Sequence, residues 1–252
     1  MSAKNDNRRL YEKVSQDLAR AIAQGRYKVG QRLPSERDLA LAYEVSRPTV
    51  REAIIALELD GLVEVRMGSG VYVTAKKPRG GKAGETDIGP FELLEARRAI
   101  ESEACAMAAV RIEDQQLTEL ANLVSEMQDE NARDVVMSED ADRRFHMLIA
   151  KATQNSAMIS AVQLLWDARA RSPQNQLMSV KAHAAGVKPR IDEHAEILRA
   201  LRTRSPSTAR QAMHDHLTAV IEALFEATEV QELERARAQV AEQRKFYALG
   251  AG

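Results

Sequence analysis

The chain has 252 residues, 44% apolar and 4% aromatic, which is enough for two domains with cores of their own and favours helices over sheets. Its single cysteine, Cys105, excludes an intrachain disulfide and suits a reducing compartment. No apolar run that could serve as a signal peptide or a membrane span follows the polar start at residues 1–9, so a cytoplasmic protein with no membrane partner is expected.

The net charge of −1 is unevenly divided. Residues 1–82 carry 16 Lys and Arg against 10 Asp and Glu, and the remainder carries 20 against 27. That asymmetry is expected when only the N-terminal part meets phosphate, and the modest positive excess points to affinity gained through a dimer.

Residues 8–25 are expected to form an amphipathic helix, with Leu10, Val14, Leu18 and Ile22 on one stripe and Gly25 as its stop. The segment from Gly30 to Ala40 ends a loop at Pro34 and caps a short helix with Ser35. Asp38, at the third helical position, takes the place of the glutamate of a capping box. That helix runs to about Tyr43, and only Glu44 and Val45 separate it from a second cap at Ser46. Ser46 can accept a backbone N–H and Pro48 is tolerated in the first turn, so the second helix has a defined start. Val50, Ile54 and Leu57 follow a packing period, which leaves Arg47, Thr49 and Arg51 off that face. Arginines so placed can read guanine O6 and N7 or grip phosphate, although residues 46–54 alone read equally as a surface helix with solvated arginines. The short connection makes the pair a helix-turn-helix. Beyond it, residues 61–66 and 70–74 alternate apolar with other residues across Met67-Gly68-Ser69, as a β-hairpin wing does.

In this stretch the chain resembles the DNA-binding domain of the GntR family of bacterial transcription regulators, over residues 11 to 75. LPSERDLA (33–40), SRPTVREAI (46–54), LELDGLVEVR (57–66) and MGSG (67–70) carry the resemblance. It implies that Arg37, Arg47, Thr49 and Arg51 contact the major groove and phosphates, and that Gly68 lies at the wing tip facing the minor groove. Ser46 stands where the family often has threonine and keeps its hydroxyl toward the DNA. Pro48 departs from the pattern and removes a backbone N–H donor.

The run 76–89 is rich in glycine and basic residues with no apolar period, and reads as a flexible linker. From Pro90 onward helical periods cover 91–110, 113–130, 138–153, 156–171, 189–203 and 206–230, the last opened by Ser205-Pro206, with a charged helical tail at 231–252. The expected architecture is therefore mostly α. An N-terminal winged helix-turn-helix at 8–75, with its small hairpin wing, is joined by the linker to an all-α antiparallel bundle at 90–230. Asp142 and His146 lie one turn apart on one helix, and His194 and His216 fall amid apolar residues on two later helices. A carboxylate and three imidazoles suit a divalent metal, but spacing alone leaves open that these are separate helix histidines. His183 is expected in a loop or on the surface.

Residues 90–228 resemble the all-helical FCD effector domain of the FadR subfamily, through DRRFH (142–146), EHAEILRAL (193–201) and MHDHL (213–217). The resemblance implies that Asp142, His146, His194 and His216 hold a divalent metal, zinc before nickel or manganese, and that His216 rather than His214 is the last ligand. It places Arg97, in EARRAIE (95–101), toward a ligand cavity where it would hold an effector carboxylate. The alternative is a structural ion pair of Arg97 with Glu101 or Asp142. Asn155 is assigned to a helix-terminus hydrogen bond, and Trp166 and Cys105 to core packing. Within the subfamily, residues 89–97 and 145–155 are most similar to hexuronate-responsive repressors of the UxuR and ExuR type. A homodimer on a palindromic double-stranded operator, released by a sugar acid or related small carboxylate, is the function this implies. A metal-dependent enzyme acting on a small organic acid and a pure metal-sensing repressor are the rival readings.

Overall fold

The computed structural model describes residues 10–66, 69–78, 88–132, 139–184 and 190–228. Gly68, most of the expected linker and the expected tail at 231–252 lie outside them. The chain divides into two compact units, the first reaching to Asp87 and the second spanning Ile88–Ala227. No helix among the described residues is long and apolar enough to cross a membrane.

The first unit contains α1 (Leu10–Ala23), α2 (Glu36–Tyr43), α3 (Arg47–Leu59), β1 (Val63–Arg66) and β2 (Gly70–Val73). Helix α1 buries Tyr11, Val14, Leu18 and Ile22, whereas Leu10, expected on the same stripe, is 59% exposed. The buried face begins one residue later because the side chain of a helix's first residue has no preceding turn to cover it. Gly25, at φ +80, stops α1: its N–H reaches Ile22 O and the Arg26 N–H reaches Ala21 O, which satisfies the last carbonyls in a Schellman motif. Helix α1 packs on α3, and α2 packs on α3. The hairpin pairs antiparallel, Val63 opposite Val73 and Arg66 opposite Gly70. The stretch read from sequence as a loop before α2 does more than connect. Gly30 and Leu33 donate to Val73 O and Val71 O, so residues 30–33 pair along the free edge of β2 and tie the wing to the helices.

The second unit contains α4 (Pro90–Ala109), α5 (Asp114–Ala132), α6 (Glu139–Ala152), α7 (Ser156–Arg171), α8 (Pro173–Ala184), α9 (Ile191–Arg202) and α10 (Pro206–Thr228). Helix α4 packs against α6, α7, α8 and α9, while α5 packs against α6 and α9. Its buried Ala104, Cys105, Ala108 and Ala109 are small enough to let the neighbouring backbones come close. Burial pushes the Cys105 thiol far up, as suits a packing residue. Phe145, fully buried, centres the main cluster between α5, α6, α9 and α10.

Helix α8 was not expected. Its hydrophobic pattern is weak, but Ser172 Oγ accepts from Asn175 N at 3.2 Å and Pro173 opens the helix, the same signal as Ser205-Pro206 before α10. His183, expected in a loop or on the surface, belongs to this helix.

Gly70 sits at φ +115, and a Cβ there would stand 2.4 Å from Arg32 Nε. Gly70→Ala is expected to destabilise the first unit by roughly 1–2 kcal/mol through backbone strain. The denaturant midpoint of that unit, followed against wild type, checks this.

Candidate functional site

Two places collect the residues singled out above, one in each unit. In the first, Ser46 caps α3 with extended backbone and accepts from Thr49 N at 3.3 Å, and the two hydroxyls share a hydrogen bond of 2.8 Å. Pro48 lies in the first turn, where a backbone N–H has no intrahelical acceptor, so its missing donor removes no helix bond. Arg37, Ser46 and Arg47 are exposed and Thr49 is half-buried. Arg51 is placed differently. It is 2% exposed, and its Nε and Nη2 grip Glu36 Oε1 and Oε2 at 2.9 and 2.5 Å. Helix α2 covers this part of α3, so the two-pronged pair holds the helix-turn-helix angle. Arg47 Nη2 stands 3.9 Å from the same carboxylate. In the wing, Arg66 stacks over the Tyr72 ring, whose hydroxyl bonds Ser69. Gly68 lies outside the described residues.

In the second unit, α6 supplies Asp142 and His146, α9 supplies His194 and α10 supplies His216. One ligand atom from each lies within 4.8 Å of the others. Asp142 Oδ1 is 2.9 Å from His194 Nε2 and 3.5 Å from His146 Nε2. Every Nδ1 is occupied from behind: His146 by Glu101 Oε2, His194 by Arg190 O at 3.0 Å, and His216 by Glu193 Oε2 at 3.0 Å. Donation from Nδ1–H to these acceptors leaves each Nε2 lone pair facing the centre, the outer-shell arrangement of metal-binding histidines. His146 Nε2 is buried with no hydrogen-bond partner among the described residues. An orphaned lone pair beside two imidazoles and a carboxylate is the donor set of a divalent cation such as zinc.

Burial and the neighbouring charges act differently on each group. Burial pushes the Asp142 carboxyl up, but the adjoining imidazoles of His146 and His194 outweigh it and hold the group well below the ordinary carboxylate range. Burial acts likewise on Glu101, which Arg97 and His146 bring down to about 2. For His216, burial and the neighbouring histidines push the imidazole well below its usual value, toward the neutral form a metal requires. His146 is raised, the carboxylates of Glu101 and Asp142 prevailing over burial.

Arg97 takes the ion-pair alternative named above: its Nε donates to Glu101 Oε1 at 2.6 Å, and its guanidinium lies 4.0 Å from the centre of the Trp166 ring. Trp166 packs with Ala104, Ala150 and Val162, and its ring is also 5.3 Å from that of His146. Asn155 caps α7, accepting from Ala157 N and Met158 N. His214 is half-exposed and faces Asp215, apart from the cluster. Sequence reasoning missed three roles, those of Glu101, named there only as an ion-pair partner for Arg97, of Glu193 and of Arg169. The first two lie inside quoted motifs, but nothing in the pattern says which imidazole each would meet. Arg169 Nη1 lies 3.7 Å from Asp142 Oδ2, and its only sequence signal is its position one turn after Trp166.

Comparison with known proteins fits both units. Residues 10–73 match the profile described as bacterial regulatory proteins, gntR family, and residues 92–219 match that of the FCD domain. The Exu regulon transcriptional regulator of Escherichia coli K12 is 39% identical over 226 residues, covering 88% of this chain and 86% of that protein. The Uxu operon regulator of Haemophilus influenzae is 35% identical over 234 residues, 89% of this chain and 85% of its own. The Uxu operon transcriptional regulator of Escherichia coli K12 is 33% identical over 242 residues, 92% and 93%. With a winged helix-turn-helix in one unit and an FCD bundle in the other, the chain belongs to the GntR family of bacterial regulatory proteins and is a DNA-binding transcription regulator, not an enzyme.

Proposed function

We propose that this regulator represses a catabolic operon for a hexuronate-type sugar acid or a related organic acid, and leaves its operator when a small carboxylate binds at a metal in the FCD unit. One observation carries the reading. Three buried imidazoles, each fixed through Nδ1, turn Nε2 toward one carboxylate, which Arg169 also faces, while Arg97 holds Glu101 behind His146. A divalent ion held by Asp142, His146, His194 and His216, zinc before nickel or manganese, would supply a Lewis-acid centre for an anionic oxygen. The named relatives, regulators of Exu and Uxu genes, support the sugar-acid class.

On the DNA side, two copies of α3 in a homodimer would read the half-sites of a palindrome. Arg37, Ser46, Arg47 and Thr49 supply the direct contacts and Gly68 the wing tip. Arg51 either sets the pose of α3 from its place on Glu36 or is handed over to the DNA. Residues 8–75 thus serve the operator, 76–89 the tether, and 90–230 the effector and the dimer. Helix α4 carries both Arg97 and Glu101 and opens directly after the tether at Pro90, so a change at the site can pass along α4 to the connection. A hundredfold change in operator affinity needs a coupling of only about 2.7 kcal/mol.

Arg47→Ala is expected to weaken binding to a DNA fragment selected from random sequence by about tenfold or more, with ligand binding unchanged. Glu36→Gln is expected to lower the stability of the first unit as well, because it leaves Arg51 buried without its carboxylate. Gel shift and thermal unfolding together separate the two effects, and full DNA affinity in Arg47→Ala would sink the recognition-helix assignment. The pair His146→Ala with His194→Ala is expected to lose bound zinc by elemental analysis. Zinc retention in the wild type should fall as the pH drops, led by His146, whose imidazole Glu101 and Asp142 raise, since a protonated imidazole has no lone pair to give. DNA release that tracks metal alone, with no acid present, would replace the sugar-acid reading with a metal sensor.

A further inference from the structure

The outer face of the wing gathers groups that the recognition helix does not use. In the antiparallel register Glu64 stands opposite Tyr72 and Arg66 opposite Gly70, so these four share one face of the hairpin, while Val63, Val71 and Val73 turn to the core. A third edge joins them. Arg32, exposed, bridges to Tyr72 from the other side of β2, and its side chain lies across Gly70, with Cζ 3.1 Å from where a Cβ would stand. Two arginines therefore reach one glycine, Arg66 through the register and Arg32 through its side chain. Like charges brought together in this way repel, and an anion relieves the repulsion.

Arg66 is held without being buried. Its side chain is 53% exposed, its Nε donates to Glu64 Oε2 at 3.0 Å, and its guanidinium lies 4.6 Å from the centre of the Tyr72 ring. Tyr72 also fixes the turn: its hydroxyl donates to Ser69 O at 3.3 Å and shares a hydrogen bond of 2.9 Å with Ser69 Oγ, while Ser69 N–H donates to Arg66 O at 2.8 Å. One ring thus sets both the guanidinium and the turn that carries the wing tip. An exposed ion pair such as Arg66–Glu64 adds little to stability, so exchanging Glu64 for another anion costs little.

We propose that this face is a second DNA contact, in which Arg66 and Arg32 take a backbone phosphate, Arg66 exchanging Glu64 for it, with Tyr72 as the positioning residue. This rests on the reading that the wing faces the operator. The site is too open to hold a small free anion tightly, whereas a phosphate of a duplex already bound through α3 is delivered at high effective concentration. A backbone contact carries no base information, which gives it a signature of its own.

The test uses the full chain and two duplexes of equal length, one carrying the operator selected from random sequence and one with that sequence scrambled. Each is titrated by fluorescence anisotropy over a range of salt. Arg66→Gln and Arg32→Gln are each expected to weaken both duplexes alike, by about threefold or more, and to lower the slope of log affinity against log salt by about 0.9. Glu64→Gln is expected to tighten both by removing the competing carboxylate. Tyr72→Leu, which unseats Arg66, is expected to lose the same slope, and Tyr72→Phe, which keeps the ring, to recover it. Both arginine variants at wild-type affinity and slope overturn the inference alone, provided Arg47→Ala weakens binding; if Arg47→Ala also binds fully, the placement of the DNA face falls with it. A shift in thermal unfolding of Arg66→Gln with neither duplex affected makes the residue a hairpin brace and overturns the inference. Loss confined to the selected operator makes it a base contact, with the same consequence. Inorganic phosphate that binds the wild type but not Arg66→Gln by calorimetry, with both duplexes unaffected, assigns the face to a free anion instead.

Discussion

Glu101 is the group on which the second unit turns. A carboxylate buried among helices is destabilising unless its charge is met, and here it is met twice, by Arg97 on the same helix and by His146 on α6. One bond fixes the guanidinium over Trp166, and the other fixes the tautomer of the imidazole that presents an unpartnered Nε2 to Asp142 and its neighbours. The arrangement of the proposed metal site therefore depends on a residue that is not among its ligands. Because Glu101, Arg97 and His146 are all nearly solvent-free, water cannot stand in for any of them. Their positions are coupled rather than independent.

The first unit uses the same chemistry for a different end. Glu36 and Arg51 form a two-pronged pair between α2 and α3, and the exposed Arg47 stands on the rim of the same carboxylate. In both units an arginine that could serve a ligand is already held by a glutamate of the chain. A fixed guanidinium loses less freedom when it meets its target, and charge held internally is exchanged rather than created when the target arrives. The groups with greater access are Arg47 on α3 and Arg169 beside Asp142.

Much of this was legible in the chain itself. Caps and stops are local chemistry, so Ser35, Ser46, Asn155 and Gly25 announced the helix ends where the structure has them. The Asp-x-x-x-His spacing put Asp142 and His146 on one face because an α-helix repeats every 3.6 residues, and the helical phase distinguished His216 from His214. Helix α8 escaped notice because its pattern is weakly amphipathic, although Ser172-Pro173 marked its start. The edge pairing of residues 30–33 with β2 escaped because a strand bridge made by a loop has no period to read.

What the sequence determined by itself is the set of elements and the identity of the chemical groups: the helix-turn-helix, the wing, a helical bundle, one aspartate and three histidines at helical phase. What only the tertiary structure decided is which group faces which. The convergence of α6, α9 and α10 brought four side chains within 4.8 Å, the packing of α2 on α3 turned Arg51 inward onto Glu36, that of α4 on α6 set Glu101 between Arg97 and His146, and that of α7 on α6 placed Arg169 beside the second oxygen of Asp142. The reason is physical. Caps and periodicity act over a few residues along the backbone, whereas partners separated by tens of residues are chosen by packing and by the penalty on buried charge, which exist only once the core has closed.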